Sequence, residues 1–387
     1  MNNSDENILS QNSITIIDYI RRNNGKLTKI ELAEKLKMPW STVSTTIAKL
    51  KSLIKTESSN KNLYRGKLLI NSSFKYYVGI SVGHSKLKLV ILDFSFHIVK
   101  VQLLKSMIEM KYKEFLTNLL NMNFNNSFEE CKWCCDTPKS VEEILIRLRE
   151  ITQAINKLKD EKFNIDSIGF AFPGHIDYDN QKIIHSFQDN DDGGFSNTNI
   201  YSLLSASLMN ELEKNKIKCF VDHNVKCSTV AEKEAIVTYR QNYDDKNILN
   251  VYLGIGISVG MILNNELYRG NNNLAGEYGK SLFTPDNPET LEQRLLIKVD
   301  SPDSEFIDLI CTSLFNIVNI LGIDKIVFSG KFDNIFNKIE VEMINKFVTM
   351  GKTGLSLIQS TYGEFSAAAG AAISCYNQSY NVPFKWN

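Results

Sequence analysis

Apolar residues recur at helical spacing in short stretches near the start of the chain. The first stretch places Ile14, Ile17 and Ile20 on one side of a helix. It runs into Gly25, and glycine readily takes the left-handed conformation that closes a helix. The pattern therefore predicts a first helix that ends near Gly25.

A second and a third helix are expected after short turns. Thr28 is a good N-cap, and Glu31 three residues later completes a capping box, so a short helix begins there. Pro39 is expected to end this second helix. The third helix is expected to begin near Ser41. Its apolar face has spacings of four, three and four residues and consists of Val43, Ile47, Leu50 and Ile54.

The outer face of the third helix is small and polar. Its side chains could reach base edges or phosphates from a helix lying in a major groove, and they are Ser41, Thr42, Ser44, Thr45 and Lys49. Beyond it, a polar turn separates two β-capable runs, and Arg65 and Lys67 alternate out of the second run. We interpret residues 1–72 as a winged helix-turn-helix that binds double-stranded operator DNA, with Arg65 and Lys67 in the wing. A three-helix bundle that binds no DNA is the alternative.

Charge is distributed unevenly along the chain. Net charge is zero over all 387 residues, yet the first 70 residues contain twelve Lys and Arg against six Asp and Glu. A local excess of six positive charges is the usual electrostatic footprint of a protein that binds the phosphate backbone, although such a patch is also common on an ordinary solvated face.

Composition is that of a globular protein, with 43% apolar and 23% charged residues, and the length suits two or three domains. We find no charge-free apolar run of about 18 residues and no signal peptide, so we expect a cytoplasmic protein without membrane contact. The seven cysteines are irregularly spaced, which favours reduced thiols over a disulfide framework.

From Tyr76 onward, strand patterns alternate with helix patterns, which indicates an α/β architecture. A hairpin is expected over residues 77–94, an amphipathic helix over 140–159, and a strand over 168–172 that ends in Pro-Gly. Two further strands over 251–263 surround Gly254, Gly256 and Gly260, where absent side chains would let backbone amides approach a phosphate. Such glycine spacing by itself is a weak signal.

This arrangement resembles the ROK family of sugar kinases and sugar-responsive repressors, which share a two-lobed, actin-like ATPase fold. The likeness covers nearly the whole chain, and its motifs are the segments 254–256, 265–270, 274–279, 169–174, 327–330 and 367–372. It implies a first lobe over 76–222, completed by a C-terminal helix over 374–387, and a second lobe over 223–373. The N-terminal helices, with Ser41-Thr42-Val43-Ser44 opening the third, are similar to those of the family's repressor branch.

The residues needed for phosphoryl transfer are altered. Kinases of the family take their general base from the Asp of a Glu-Asn-Asp run, and the matching residue here is Asn224. An amide accepts no proton at useful pH, although it can still hydrogen-bond a sugar hydroxyl. We therefore predict no catalytic residue. In the alternative, Asp222 serves as the base of an active sugar kinase.

Both phosphate-binding loops of the family are judged degenerate. Where its kinases have Asp-x-Gly-Gly-Thr, this chain has Ser81 and then Gly83 followed by His84, so the carboxylate that orients the metal is missing. The second loop retains Gly254 and Gly256. Taken together, these changes predict that the protein uses no cofactor.

The zinc site of the family is also expected to be absent. Its His position is Lys280, and no cysteine lies between residues 281 and 292. Three other cysteines form a C-x-x-C-C cluster in an apparent insertion over 111–137, where ordinary thiols are favoured over a metal site; they are Cys131, Cys134 and Cys135. No role is assigned to the insertion.

The resemblance implies a modified sugar-binding site. Glu277 and Glu292 match two sugar-contacting carboxylates, while Asn224 keeps hydrogen-bonding groups. His223 replaces an Asn of the family, and Lys280 replaces its His. A cation beside two carboxylates indicates either an acidic or phosphorylated sugar or an internal ion pair that fills a disused cavity.

The expected function is that of a homodimeric or homotetrameric transcriptional regulator, in the manner of a repressor, that responds to a sugar or sugar phosphate. Lobe closure around the effector would change the spacing of two DNA-binding units. The rivals are an active sugar kinase and a regulator that binds DNA without any ligand.

Overall fold

The structure is a computed structural model. It describes residues 10–57, 66–82, 87–103, 164–185, 196–199, 212–213, 216–239, 245–254, 256–284, 287–296, 298–299 and 301–382. Several predictions lie outside these described residues: Arg65 in the wing, Gly83 and His84 in the first phosphate loop, the helix over 140–159, and the insertion over 111–137 with Cys131, Cys134 and Cys135.

Three helices form close to where the apolar pattern places them: α1 (Gln11–Arg22), α2 (Lys29–Leu36) and α3 (Trp40–Lys49). The capping box is present, because Thr28 and Glu31 each accept a hydrogen bond from the other's backbone N–H. Both predicted helix ends are confirmed to within about three residues, and the structure identifies the capping residues. Helix α2 ends at Leu36, its C-cap Lys37 takes the left-handed conformation at φ 52°, and Pro39 is the residue before α3. The C-cap of α1 is Asn23, whereas the left-handed Gly25 lies beyond it.

Two short strands follow the helices, β1 (Ile54–Glu57) and β2 (Lys67–Ile70), and they pair antiparallel. Ile54, expected in the third helix, is the first residue of β1 because the chain leaves the helix after Lys49. The side chains of Ile17, Val43 and Leu68 are buried in one shared cluster. We call residues 10–70 the N-terminal unit.

The remainder of the chain contains two five-stranded sheets of the same plan. The first has the order β10-β6-β3-β4-β5, and the second has the order β13-β12-β11-β16-β17. In each sheet three parallel strands continue into an antiparallel hairpin. The first comprises β3 (Tyr76–Val82), β4 (Leu87–Asp93), β5 (Ile98–Leu103), β6 (Ile165–Phe172) and β10 (Lys218–His223). The second comprises β11 (Ile248–Leu253), β12 (Ile257–Leu263), β13 (Glu266–Tyr268), β16 (Lys325–Gly330) and β17 (Ser356–Gln359).

Smaller sheets and further helices complete the described fold. One sheet contains β7 (His175–Asp177), β8 (Lys182–His185) and β9 (Ser196–Asn199), and another contains β14 (Leu282–Thr284) and β15 (Asn287–Thr290). The helices are α4 (Asn224–Tyr239), α5 (Leu291–Leu296), α6 (Ser304–Leu321), α7 (Phe336–Thr349) and α8 (Ser366–Ser379). The C-terminal helix thus begins at Ser366 and not near 374, because the run of alanines and Gly370 belongs to it.

Helices α4 and α8 lie against each other, with α8 on the first sheet and α4 mainly on β11 and β12 of the second. Two glycines allow this close approach. A Cβ on Gly370 of α8 would lie 1.7 Å from the carbonyl oxygen of Cys227 in α4. A Cβ on Gly79 of β3 would lie 1.8 Å from the carbonyl oxygen of Ala368. Because backbone meets backbone at both points, neither position has room for a side chain.

Helix α6 is long and apolar enough to cross a membrane by length and composition alone. Its apolar side is instead buried in the core of the second sheet, through residues that include Phe306, Ile310, Leu314 and Val318. We therefore interpret α6 as a core helix.

Candidate functional site

The outer face of α3 is accessible. Ser41, Thr45 and Lys49 are exposed, and Thr42 and Ser44 are half-buried, whereas Val43 and Ile47 on the opposite face are buried. This is the orientation that the sequence predicted, and contact with DNA stays a prediction. Trp40, which sequence reasoning left out, is 45% exposed at the start of the same helix.

Part of the basic excess of the N-terminal unit is turned away from solvent. The side chains of Arg21 and Arg22 are 2% and 10% exposed, and both form ion pairs with Glu234 of α4. Lys67 donates a hydrogen bond to the backbone oxygen of Lys26 at 2.7 Å and lies 3.6 Å from Glu31. The charge that could face phosphates is therefore smaller than the sequence count suggests.

The junction of β10 and α4 brings three polar residues together, Asp222, His223 and Asn224, all of them buried. Strand β10 runs parallel to β6, and its last residue pairs with Phe172. The junction therefore lies at the carboxyl edge of the first sheet, where α/β proteins commonly bind ligands. Asn224, which the sequence predicts to replace a catalytic base, is the first residue of α4.

Asp222 is held by an arginine that sequence reasoning missed. Both oxygens accept hydrogen bonds from Arg269, at 2.9 and 2.8 Å, and Asn273 donates a longer one at 3.3 Å. The Arg269 guanidinium also lies 3.7 Å from the centre of the Tyr178 ring. Because Arg269 engages both carboxylate oxygens, Asp222 could take up a substrate proton only by giving up part of this bidentate pair.

Lys226, one turn into α4, is a second residue that the sequence did not single out. It is buried and donates a hydrogen bond to the backbone oxygen of Ala275. Burial lowers the pKa of Lys226 to about 8, while the nearby carboxylates of Asp222 and Glu277 raise it. This lysine ties the start of α4 to the loop that carries Glu277.

His223 is neutral at physiological pH. Its pKa is lowered from 6.5 to about 4, chiefly by burial and then by the charge of Lys226, while Glu277 and Asp222 act to raise it. Its Nδ1 accepts a hydrogen bond from the backbone N–H of Val225 at 3.3 Å, which assigns the ring proton to Nε2. Through Nε2, His223 can therefore act as a hydrogen-bond donor without carrying charge.

Glu277 and Lys280 form an ion pair at 2.8 Å within one 3₁₀ turn, Tyr278–Lys280. Their side chains are 39% and 75% exposed. The ion pair that the sequence left as one explanation of Lys280 is present, but it lies at the surface and not inside a cavity. The turn is fixed behind them by Gly276, where a Cβ would lie 1.9 Å from the backbone oxygen of Val259.

Glu292 and Gly256, predicted for two different loops, lie together. Glu292 Oε2 accepts a hydrogen bond from the backbone N–H of Ile257 at 3.0 Å. A Cβ on Gly256 would lie 2.0 Å from the same oxygen, and a Cβ on Gly279 would lie 2.7 Å from it. The carboxylate therefore fills the space beside both glycines and links α5 to the turn that carries Glu277.

The other predicted phosphate-loop residues, Ser81 and Gly254, converge on Tyr252. Burial of the Tyr252 phenol raises its pKa, while the neighbouring side chain of Ser81 lowers it. A Cβ on Gly254 would lie 2.7 Å from the Tyr252 ring, and one on Gly330 would lie 3.1 Å from it. An aromatic side chain of the protein thus occupies the space that these glycines leave open.

Among the described residues, no cluster of three or more His, Cys, Asp or Glu side chains is arranged to hold a metal ion. The described cysteines are buried and take part in no disulfide: Cys219, Cys227, Cys311 and Cys375. Burial raises the pKa of Cys219 and of Cys311 to about 12, so neither is a reactive thiolate at neutral pH.

Comparison with known proteins places these features in context. Residues 124–290 match the sequence model of the ROK family. The chain is 25% identical over 272 residues to the Xylose repressor of Bacillus subtilis (strain 168), and 24% identical over 284 residues to the Xylose repressor of Staphylococcus xylosus. These matches cover 69% and 71% of this chain but only 59% and 61% of the two relatives. The chain thus spans about three fifths of the length of these relatives.

Solved structures share the fold. A ROK family transcriptional regulator, a homologue of the E. coli MLC protein, superposes with a TM-score of 0.64 at 13% identity, over 96% of this chain and 97% of the other. A ROK family glucokinase from Streptomyces griseus, in complex with glucose and AMPPNP, gives a TM-score of 0.54 at 12% identity, over 77% and 98% of the two chains. At such identity the likeness establishes a mixed α/β fold shared by ROK repressors and sugar kinases.

Proposed function

We propose that this chain, which contains a ROK family domain, is a DNA-binding transcriptional regulator that senses a sugar and does not phosphorylate it. The observation that carries the proposal is the state of the expected base position: Asn224 stands there, and the neighbouring Asp222 is bound by Arg269. A domain that retains sugar-binding groups without a proton acceptor is suited to sensing. The relatives, which are named xylose repressors, support a regulatory function over an enzymatic one.

The N-terminal unit supplies the proposed DNA contact. Helices α2 and α3 correspond to a helix-turn-helix, and β1 with β2 corresponds to a wing. Helix α3 would lie in the major groove and present its exposed polar face to the bases. A homodimer or homotetramer would place two such units on the half-sites of an operator, and we expect the protein to act as a repressor in the cytoplasm.

Phosphoryl transfer requires a base, a bound nucleotide with its metal, and donors for the developing charge. The amide of Asn224 cannot act as the base. The ring of Tyr252 lies against Gly254 and Gly330, so the space beside these glycines is already filled. Both observations favour an inactive kinase and count against the rival in which Asp222 is the base.

The proposed effector is a sugar recognised through its hydroxyl groups. Glu277 and Glu292 offer acceptors, Asn224 offers both an acceptor and donors, and neutral His223 offers a donor. D-xylose is the first compound to test because of the names of the relatives. A sugar phosphate is the second compound to test, because the exposed ammonium group of Lys280 could contact a phosphate at the surface.

DNA binding is tested by fluorescence anisotropy with duplex DNA from the region upstream of the protein's own coding sequence, at fixed salt. We expect specific binding that the Thr45→Ala and Lys49→Ala variants weaken. A matched control is Lys338→Ala on α7, which removes a charge that is also exposed but lies outside the N-terminal unit. Binding no tighter than to unrelated DNA would contradict the proposal.

The kinase rival is tested on the same preparation by ATP turnover with D-xylose, D-glucose and other hexoses. We expect no sugar-dependent ADP release. Turnover that disappears in Asp222→Asn would instead establish the kinase. DNA binding that no sugar or sugar phosphate perturbs would support a ligand-independent regulator in place of the sensor.

A further inference from the structure

Helix α4 carries charged side chains that have no access to solvent. Its residues 224–237 are all buried, and four of them, Lys226, Glu232, Lys233 and Glu234, are at most 3% exposed. Burying a charge is unfavourable unless it is paired or hydrogen-bonded. Each of these four side chains contacts a different segment of the protein, so α4 connects several parts of the molecule.

Glu234, near the end of α4, holds the N-terminal unit. Its Oε1 accepts a hydrogen bond from Arg21 at 2.8 Å and one from Arg22 at 3.3 Å, and its Oε2 accepts a second from Arg22 at 3.3 Å. The Arg21 guanidinium also lies 3.8 Å from the centre of the Phe96 ring. A few residues earlier in α1, Asp18 accepts a hydrogen bond from the hydroxyl of Tyr376 in α8 at 3.0 Å.

The start of α4 belongs to the candidate sugar site. Asn224 is its first residue, and Lys226 is bonded to Ala275 in the loop that carries Glu277. Ten residues separate Asn224 from Glu234, which corresponds to about 15 Å along a helix. One buried helix therefore runs from the sugar-binding groups to the anchor of α1.

We infer that α4 transmits occupancy of the sugar site to the N-terminal unit, and that Glu234 is the positioning residue through which α1 moves together with α4. This inference rests on the proposed function. Closely packed interiors do not deform continuously, so a shift of the first turn of α4 must move the whole helix. The paired arginines of α1 then move with Glu234, because separating a buried ion pair leaves uncompensated charges.

The link can be tested without any sugar. Lys226→Met removes the tie between α4 and the Glu277 loop, and Glu234→Gln removes the anchor while keeping the side-chain shape. Hydrogen exchange of the α1 amides is measured in the full-length single variants and in the double variant. We expect each single change to alter exchange in α1, and Lys226→Met to add nothing once Glu234→Gln is present.

The control is Asp308→Asn, which removes an exposed carboxylate that pairs with Lys346 between α6 and α7. It should leave α1 exchange unchanged. Glu234→Asp keeps the charge and should restore much of the wild-type pattern, which separates loss of the ion pair from general damage to the fold. Unchanged α1 exchange in Lys226→Met, or fully additive effects in the double variant, would overturn the inference.

A second readout uses the DNA complex. In the wild-type protein D-xylose should change DNA affinity by about fivefold or more, as is typical of coupled sites. In Glu234→Gln, D-xylose should still bind but should change DNA affinity by less than about twofold. A full response in Glu234→Gln contradicts only the link through α4, whereas a wild-type protein that binds neither DNA nor sugar contradicts the proposed function.

Discussion

Helices α3 and α4 use polar residues in opposite ways. Helix α3 buries one side through Val43 and Ile47 and leaves its polar side open to an external partner. Helix α4 is buried on every side along residues 224–237, and its charged groups are bound by other parts of the same chain. Polar and charged residues are thus available to an outside partner in α3, where they are exposed, and bind other segments of the same chain in α4, where they are buried.

The largest predicted effect concerns the tight packing around α4. Gly370→Ala would place a Cβ 1.7 Å from the backbone of Cys227. Because backbone atoms cannot move aside cheaply, we expect the free energy of unfolding to fall by about 3 kcal/mol or more. Urea denaturation measures this.

The control for that change is Gly322→Ala after α6, where nothing lies within 4 Å but φ is +63°. It should lower the free energy of unfolding by only about 1 kcal/mol, through backbone strain. Equal losses at Gly370 and Gly322 would show that α4 is packed less tightly than the structure indicates.

His223, at the start of α4, should make stability depend on pH. Its pKa is about 4 in the folded protein and 6.5 ordinarily, so between these values the unfolded chain binds more protons. Stability from this group is fully present above about pH 6.5 and is lost as the pH falls toward 4. The loss is on the order of 2 to 3 kcal/mol.

The measurement is the free energy of unfolding across that pH window, for the wild-type protein and for His223→Gln. Carboxyl groups also titrate in this pH range. The informative quantity is therefore the difference in the free energy of unfolding between the wild-type protein and His223→Gln. A difference that stays flat from pH 4 to 6.5 would mean that His223 is not held neutral by burial.

A smaller effect is expected at the first turn of α2, in the N-terminal unit. Thr28→Ala removes the side chain that accepts from Glu31 N–H, and caps of this kind contribute about 1 kcal/mol. Thr28→Ser keeps the hydroxyl and is the matched control. Thermal unfolding should separate the two variants, and identical midpoints would show that the capping box contributes nothing.

The smallest effect on stability is expected on the exposed face of α3. Lys49→Ala should change the free energy of unfolding by no more than about 0.5 kcal/mol. It should nevertheless weaken DNA binding and reduce the slope of log affinity against log salt by about one, as expected for one lost phosphate contact. An unchanged salt slope would remove Lys49 from the interface.

The sequence predicted α1 to α3 well because each is short and has one apolar stripe. The capping box at Thr28 and Glu31 is a purely local pattern, so it could be identified without the structure. Pro39 also located the turn after α2, but the left-handed conformation of Lys37 could not be predicted, because lysine does not favour it. Arg21 lies four residues after Ile17, on the apolar stripe of α1, and this spacing was the available signal that it points inward.

The charged residues of α4 could not be interpreted from the sequence. Lys226, Lys233 and Glu234 resemble an ordinary solvated helix, since the chain does not reveal that other elements cover every face. The bond between Arg269 and Asp222 joins residues 47 positions apart, and no local pattern indicates it. Likewise, the placement of Tyr252 beside Gly254 and Gly330 arises from the packing of the second sheet.

The most direct test of the central claim is the response of the protein–DNA complex to D-xylose, measured by anisotropy at fixed salt on DNA from upstream of its own coding sequence. The account predicts a specific complex that D-xylose or its phosphate weakens, with no ADP formed when ATP is added. Sugar-dependent ATP turnover without specific DNA binding would contradict it.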